Sequence, residues 1–323
     1  LQKSFTSITV THENRDTENK NTENNRTPAT DSSSQKVKDP IDLMTGAFTV
    51  NHGVAAVSGG TELFFDMNYN SLYTEAAGEL GKGWYHNYEM KLERNGSMVI
   101  LHPNPYEMLY FAESEETADT VCGTVDGNTI ILEDDSMLER TYYQAGSDSK
   151  QCYIVKNEDG YTLFSGQEQY QFDKSGTLTG YQTEDGRKVV IQKSEDLLTI
   201  TDKATGKSIT ASYDEEGRIH SVTDAAGQKT TLEYDNDCMT VLTSKTGKKL
   251  VYEYDGQGHI IKGKEGEDSV YVENTYDEAG RVLSQTVNGN QDKLTRFAYT
   301  EDADSGTTSV TMTNPDGTTE QAV

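Results

Sequence analysis

Tyr-Asp recurs along this chain at a nearly constant interval. It opens YDEEGRI (213–219), YDGQGHI (254–260) and YDEAGRV (276–282), and Tyr234-Asp235 falls between the first two. The tyrosines at 213, 234, 254 and 276 step by 21, 20 and 22 residues, and FDKSG (172–176) is an earlier relative. A period of about 20 residues marks a repeat architecture, in which each unit lacks a core of its own and gains one by stacking on its neighbours. Four spaced copies of one motif argue against a set of unrelated hairpins.

One unit, SITASYDEEGRIHSVTDAAG (208–227), can be read residue by residue. Side chains alternate along a strand, so Ile209, Ala211 and Tyr213 share one face. Asp214 opens a turn, because its carboxylate can accept amide hydrogens just ahead of it. Gly217 stands where a hairpin needs a left-handed residue. Arg218 begins the return strand, where it offsets nearby carboxylates by about a few tenths of a kcal/mol. A second turn at 224–227 closes the unit. The same roles fall to Asp235, to Asp255 and Gly258, and to Asp277, Gly280 and Arg281; the turn after Tyr234-Asp235 lacks its glycine, and His259 replaces the arginine. Units in series make a continuous antiparallel ribbon, which has to curl because strands twist.

Leu, Ile, Val and Phe make up roughly 18% of the chain, a low share that with high charge borders on disorder. The net charge is −26, and 19 tyrosines supply much of the apolar area. These numbers predict a thin fold with half-exposed sheets and little three-dimensional core. The acidity disfavours nucleic acid and anionic lipid as partners. No apolar run reaches the length of a membrane span. Cys122, Cys152 and Cys238 have no metal-binding spacing; Cys122 and Cys152 could pair if neighbouring strands bring them together.

Before the repeats the texture differs. Residues 1–38 are mostly Asn, Thr, Glu, Asp, Ser and Lys, and read as a flexible polar linker. Order is expected from Asp39-Pro40, with a turn at Thr45-Gly46, strands near 47–51, 62–71, 97–102 and 107–112, and glycines crowded ahead of Trp84, the only tryptophan. The domains are therefore 1–38, a small β module at 39–120, and a repeat sheet at 121–323. The chain reads as a piece of something longer, since Leu1-Gln2-Lys3 is neither a start nor a signal peptide.

These residues resemble the Rhs, or YD-repeat, family, which includes bacterial polymorphic toxins, wall-associated proteins and teneurins. Residues 39–93 are similar to the domain of unknown function that precedes such repeats, through Asp39-Pro40, Asp42 and Thr45-Gly46, then Leu63, Phe65 and Tyr69-Asn70-Ser71, then Leu80-Gly81, Gly83-Trp84, His86 and Tyr88-Glu89. Met67 and Glu62 depart from the family's usual Arg and Pro. The resemblance implies an all-β fold in which antiparallel hairpins build part of a curved shell around a C-terminal toxin. Its partner would be the rest of the same polypeptide, further YD repeats and the effector, and its location would be secreted or on the bacterial surface. A DP-x-G-type shell-closing motif does not occur by Val323, so the segment is expected to be an early arc of the wall.

No chemistry stands out. The histidines at 12, 52, 86, 102, 220 and 259 make no metal spacing such as HExxH, and no nucleophile elbow, Walker or Rossmann pattern occurs. Ser58-Gly59-Gly60 reads as a loop, and DADSG (302–306) and NGNQD (288–292) as turns rather than calcium loops. The expectation is a non-enzymatic structural segment with no cofactor. The alternative is a surface glycan- or protein-binding module.

Overall fold

The computed structural model describes residues 41–43, 45–57, 63–114, 123–126, 129–132, 140–145, 152–302 and 307–322. Asp39, Pro40, the 1–38 segment, Ser58-Gly59-Gly60 and Cys122 lie outside the described residues. No helix occurs among those described, and the fold is all-β. Twenty-one of the strands from Lys91–Asn95 to Thr319–Ala322 form one antiparallel sheet paired in chain order, and the hairpin Gly123–Asp126 with Thr129–Leu132 stands apart from it. The sheet is open, because no ladder joins its first strand to its last among the described residues.

The ribbon coils. Its first strand returns against the turn of the FDKSG unit, where Lys91 bridges Thr177 and the Leu92 amide donates to the Gly176 carbonyl at 2.8 Å. Strand twist supplies the curvature, and bulges add to it. The ladder slips at Gln171/Phe172, Ser212/Tyr213, Glu233/Tyr234, Glu253/Tyr254 and Thr275/Tyr276, each at the aromatic residue of the motif, and also at Gly263/Lys264 and Gln285/Val287. One extra residue there bends the strand locally.

A separate three-stranded sheet, Thr49–Val57, Leu63–Asn70 and Trp84–His86, packs against the ribbon. Phe65, Met67, Tyr69 and Trp84 of this sheet, with Phe48 and Leu80 beside it, are fully buried, and they share one core with Ile209, Ala211, Ile219, Tyr252 and Ile260 of the ribbon. The expected thin fold is therefore corrected. Coiling around a second sheet gives the ribbon's apolar face a partner, which sequence composition does not reveal. Met67, where the family pattern has arginine, lies in this core.

The change of texture near residue 120 is not a sheet boundary. The strands Lys91–Asn95, Met98–His102 and Leu109–Glu113 belong to the ribbon, and the last of them pairs directly with Arg140–Gln144.

Candidate functional site

Within each repeat turn the aspartate organises its own bend. Asp214 Oδ1 accepts the amides of Glu216 at 3.1 Å and Arg218 at 2.8 Å, while Oδ2 accepts Arg218 Nε at 3.0 Å. Asp277 makes the same contacts with Ala279 and Arg281, and Asp255 with Gln257 and His259. Gly217, Gly258 and Gly280 all have positive φ, and Asn236 takes that conformation in the turn after Asp235.

The tyrosines and arginines link one unit to the next. Tyr234 Oη donates to the Ile219 carbonyl at 2.6 Å, Tyr254 to Met239 at 2.6 Å, and Tyr276 to Ile260 at 2.7 Å. The Arg218 guanidinium lies 4.7 Å from the centre of the Tyr234 ring, and Arg281 lies 4.6 Å from that of Tyr299. At the variant unit the His259 ring stacks on Tyr276 at 4.9 Å and Nδ1 meets Asp255 at 2.8 Å. Arginine thus does more than the charge offset read from sequence, because it covers the aromatic face of the following repeat. Tyr299 also belongs to the series, with its hydroxyl on the Val282 carbonyl at 2.7 Å. The sequence reading missed it, although it follows Tyr276 by 23 residues.

The N-terminal motif residues meet these turns along one rim of the ribbon. The Tyr69 hydroxyl donates to the Gly258 carbonyl at 3.1 Å and accepts the Ile260 amide at 3.0 Å. Ser71 Oγ accepts the Phe48 amide at 2.9 Å and donates to the Gly280 carbonyl at 2.7 Å. Trp84 Nε1 donates to Tyr254 Oη at 3.0 Å. The Val282 amide donates to the Gly46 carbonyl at 2.9 Å, and the Lys82 amide, next to Gly81, to the Asp237 carbonyl at 2.7 Å. Asn70 and Gly83 shape the module itself: the Asn70 amide donates to the Gly83 carbonyl, and Asn70 Oδ1 accepts the Leu72 amide, both at 2.9 Å.

At one end of this seam lies a cluster that no sequence spacing revealed. Glu79 is held by the ribbon: Tyr213 Oη donates to Oε2 at 2.6 Å, Lys193 Nζ bonds Oε1, and the Ile219 amide donates to the Glu79 carbonyl at 2.8 Å. His86 Nε2 is 3.2 Å from Glu79 Oε2 and 3.3 Å from Glu89 Oε1. Burial would raise the Glu79 carboxyl, but His86, Lys193 and Tyr213 together bring it down to about 2. Burial pushes Glu89 up to about 7, with the Glu79 charge adding to the shift and His86 opposing it. Burial also lowers His52, beside Tyr252 and Trp84, to about 4.

Glu79, His86 and Glu89 place three ligand atoms within 4.8 Å of one another, the spacing of a small cation site. The histidine does not suit one. Its Nδ1 accepts the Tyr88 amide at 3.2 Å, so the neutral ring carries its hydrogen on Nε2. A cation on Nε2 would leave the ring an imidazolate, whereas metal-bound histidines normally keep a hydrogen on the other nitrogen. The cluster is a hydrogen-bonded charge site at the seam.

Comparison with known proteins agrees with the motifs. A family model described as a domain of unknown function (DUF6531) matches residues 38–111, and one described as RHS Repeat matches residues 213–237. No curated protein matches the chain. Among solved structures, the crystal structure of TcdB2-TccC3-TEV is similar at a TM-score of 0.34 and 13% identity, covering 90% of this chain and 15% of that one.

Proposed function

Because the chain is an Rhs/YD-repeat protein, we propose that it is a non-enzymatic wall segment of a secreted or surface-exposed protein, enclosing and delivering a toxin carried further along the same polypeptide. The observation that carries this reading is the seam. The motif side chains Tyr69, Ser71 and Trp84 hold the module onto the coiled ribbon, while the repeat aspartates and tyrosines fix the ribbon's own turns and link its units. Side chains occupied in this way support a structural role.

The test uses the native polypeptide with its downstream sequence. Protease should spare the downstream segment until the ribbon is denatured. Cleavage as fast as for the same segment made alone would overturn the proposal. A second reading, recognition of a glycan or protein, draws on Tyr143, Tyr153 and Phe164. These half-buried rings line up across three neighbouring strands, with centroids 6.0 and 4.7 Å apart. Saturable glycan binding that is lost in Tyr153→Ala would favour it.

A further inference from the structure

The geometry points to Glu89 as a proton-operated latch between the N-terminal module and the YD ribbon, gripping when its carboxyl is protonated and loosening when it ionises. The argument begins with a count of hydrogens. Glu79 has three donors, His86, Lys193 and Tyr213. Glu89 has a 4% exposed side chain, and neither of its oxygens has a hydrogen-bond partner; it is the only such carboxylate among the described residues.

The side chain paired with Glu89 is the His86 ring, and that ring has a single hydrogen to offer. Nδ1 is occupied by the Tyr88 amide, so Nε2–H faces two carboxylates at 3.2 and 3.3 Å. It can satisfy one of them, and Glu79 is the better placed because two ribbon side chains fix it. Two like charges this close, out of water, cannot both be comfortably ionised. A proton on Glu89 removes the repulsion. It also neutralises a carboxylate that burial penalises, consistent with the upward displacement to about 7.

The groups acting on Glu89 come from both sides of the seam. His86, Glu79 and Tyr85 belong to the module, and Tyr106 to the ribbon loop between Met98–His102 and Leu109–Glu113. Lys193, Tyr213 and Tyr234 belong to the ribbon. Of these, Lys193 alone is a ribbon cation, and it bonds Glu79 rather than Glu89. Ionised Glu89 is attracted by Lys193, but burial penalises its charge and Glu79 repels it, and these two outweigh the attraction, so ionisation destabilises the closed seam. The inference rests on the seam alone and holds whether or not the ribbon encloses a cargo.

The sign follows from linkage. A carboxyl raised in the closed state holds its proton there while the open state has lost it, so opening grows with pH between the two pKa values. The experiment is hydrogen exchange on the intact chain at the Ile219 and Lys82 amides, which bridge ribbon and module, for wild type and Glu89→Gln. The ratio of the two opening constants should rise about tenfold per pH unit from about pH 5 to about pH 7, then level off. Comparison with the variant cancels His52, whose own titration opposes this trend. A ratio constant with pH would overturn the latch.

A second measurement uses wild type only, so a poorly folding variant cannot rescue the idea. Infrared spectra should show a buried protonated-carboxyl band at about pH 6 that disappears by about pH 8.5. Absence of that band at about pH 6 would overturn the inference.

Discussion

The Tyr69 hydroxyl sits between two backbone groups of a turn 189 residues further along the chain, donating to the Gly258 carbonyl and accepting the Ile260 amide. One oxygen thus satisfies both a donor and an acceptor in a place closed to water. Tyr69→Phe keeps the ring and removes both bonds. We expect a loss of about 1–3 kcal/mol, since the orphaned backbone groups stay buried. The urea midpoint should fall while the slope of the transition is unchanged.

Gly280 and Gly217 hold the same place in their repeats, with φ of +80° and +77°. A Cβ at Gly217 would meet open space, whereas at Gly280 it would stand 2.6 Å from the Ser71 carbonyl oxygen. Gly217→Ala should therefore cost only the left-handed penalty, about 1–2 kcal/mol. Gly280→Ala should cost more, because main chain has to move at the seam. Equal thermal shifts for the two variants would contradict this account of the rim.

Arg218 and Arg187 both pair with an aspartate, yet they differ in surroundings. Arg218 is 19% exposed, bonds Asp214 and the Asn236 carbonyl, and covers Tyr234. Arg187 is 44% exposed, and its ion pair is with Asp185, itself 52% exposed. Arg218→Ala should lower stability by about 1–2 kcal/mol through lost stacking and hydrogen bonds. Arg187→Ala should change it by no more than about 0.5 kcal/mol. Chemical denaturation of the two variants side by side checks the difference.

Acid should loosen the anchor at Glu79. Its carboxyl is held at about 2 in the fold, below the ordinary 4.5. A depressed carboxyl lends stability above its unfolded value and loses it as pH falls towards the folded one. The contribution, at most about 3 kcal/mol, is therefore present above about pH 4.5 and lost towards about pH 2. His52, lowered to about 4, acts in the same direction over a higher range, from about 6.5 down to about 4. Between about pH 4.5 and pH 2 the melting temperature of Glu79→Gln should fall less steeply than that of wild type.

Much of the ribbon was legible because its rules are local. Asp214 reaches residues two and four positions ahead, Gly217 supplies the left-handed step, and Ile209, Ala211 and Tyr213 alternate onto one buried face. Those relationships span a handful of residues, and residue type and spacing state them directly. The N-terminal motif was legible as a motif, without its purpose. Nothing in Tyr69-Asn70-Ser71 or Gly83-Trp84 says that they face turns nearly two hundred residues away.

The sequence by itself determined an all-β chain of antiparallel hairpins, the places of their bends, and the side of each strand that turns inward. The tertiary structure alone decided that the ribbon's first strand touches the turn of the FDKSG unit at Lys91 and Thr177, that the module lies along the rim of the turns, and that Glu79, His86 and Glu89 come together beside Lys193 and Tyr213. The physical reason is that a bend is set by backbone sterics and hydrogen bonds within a few residues. Where two distant rims meet depends instead on small twists accumulated over many strands, and no single residue encodes their sum.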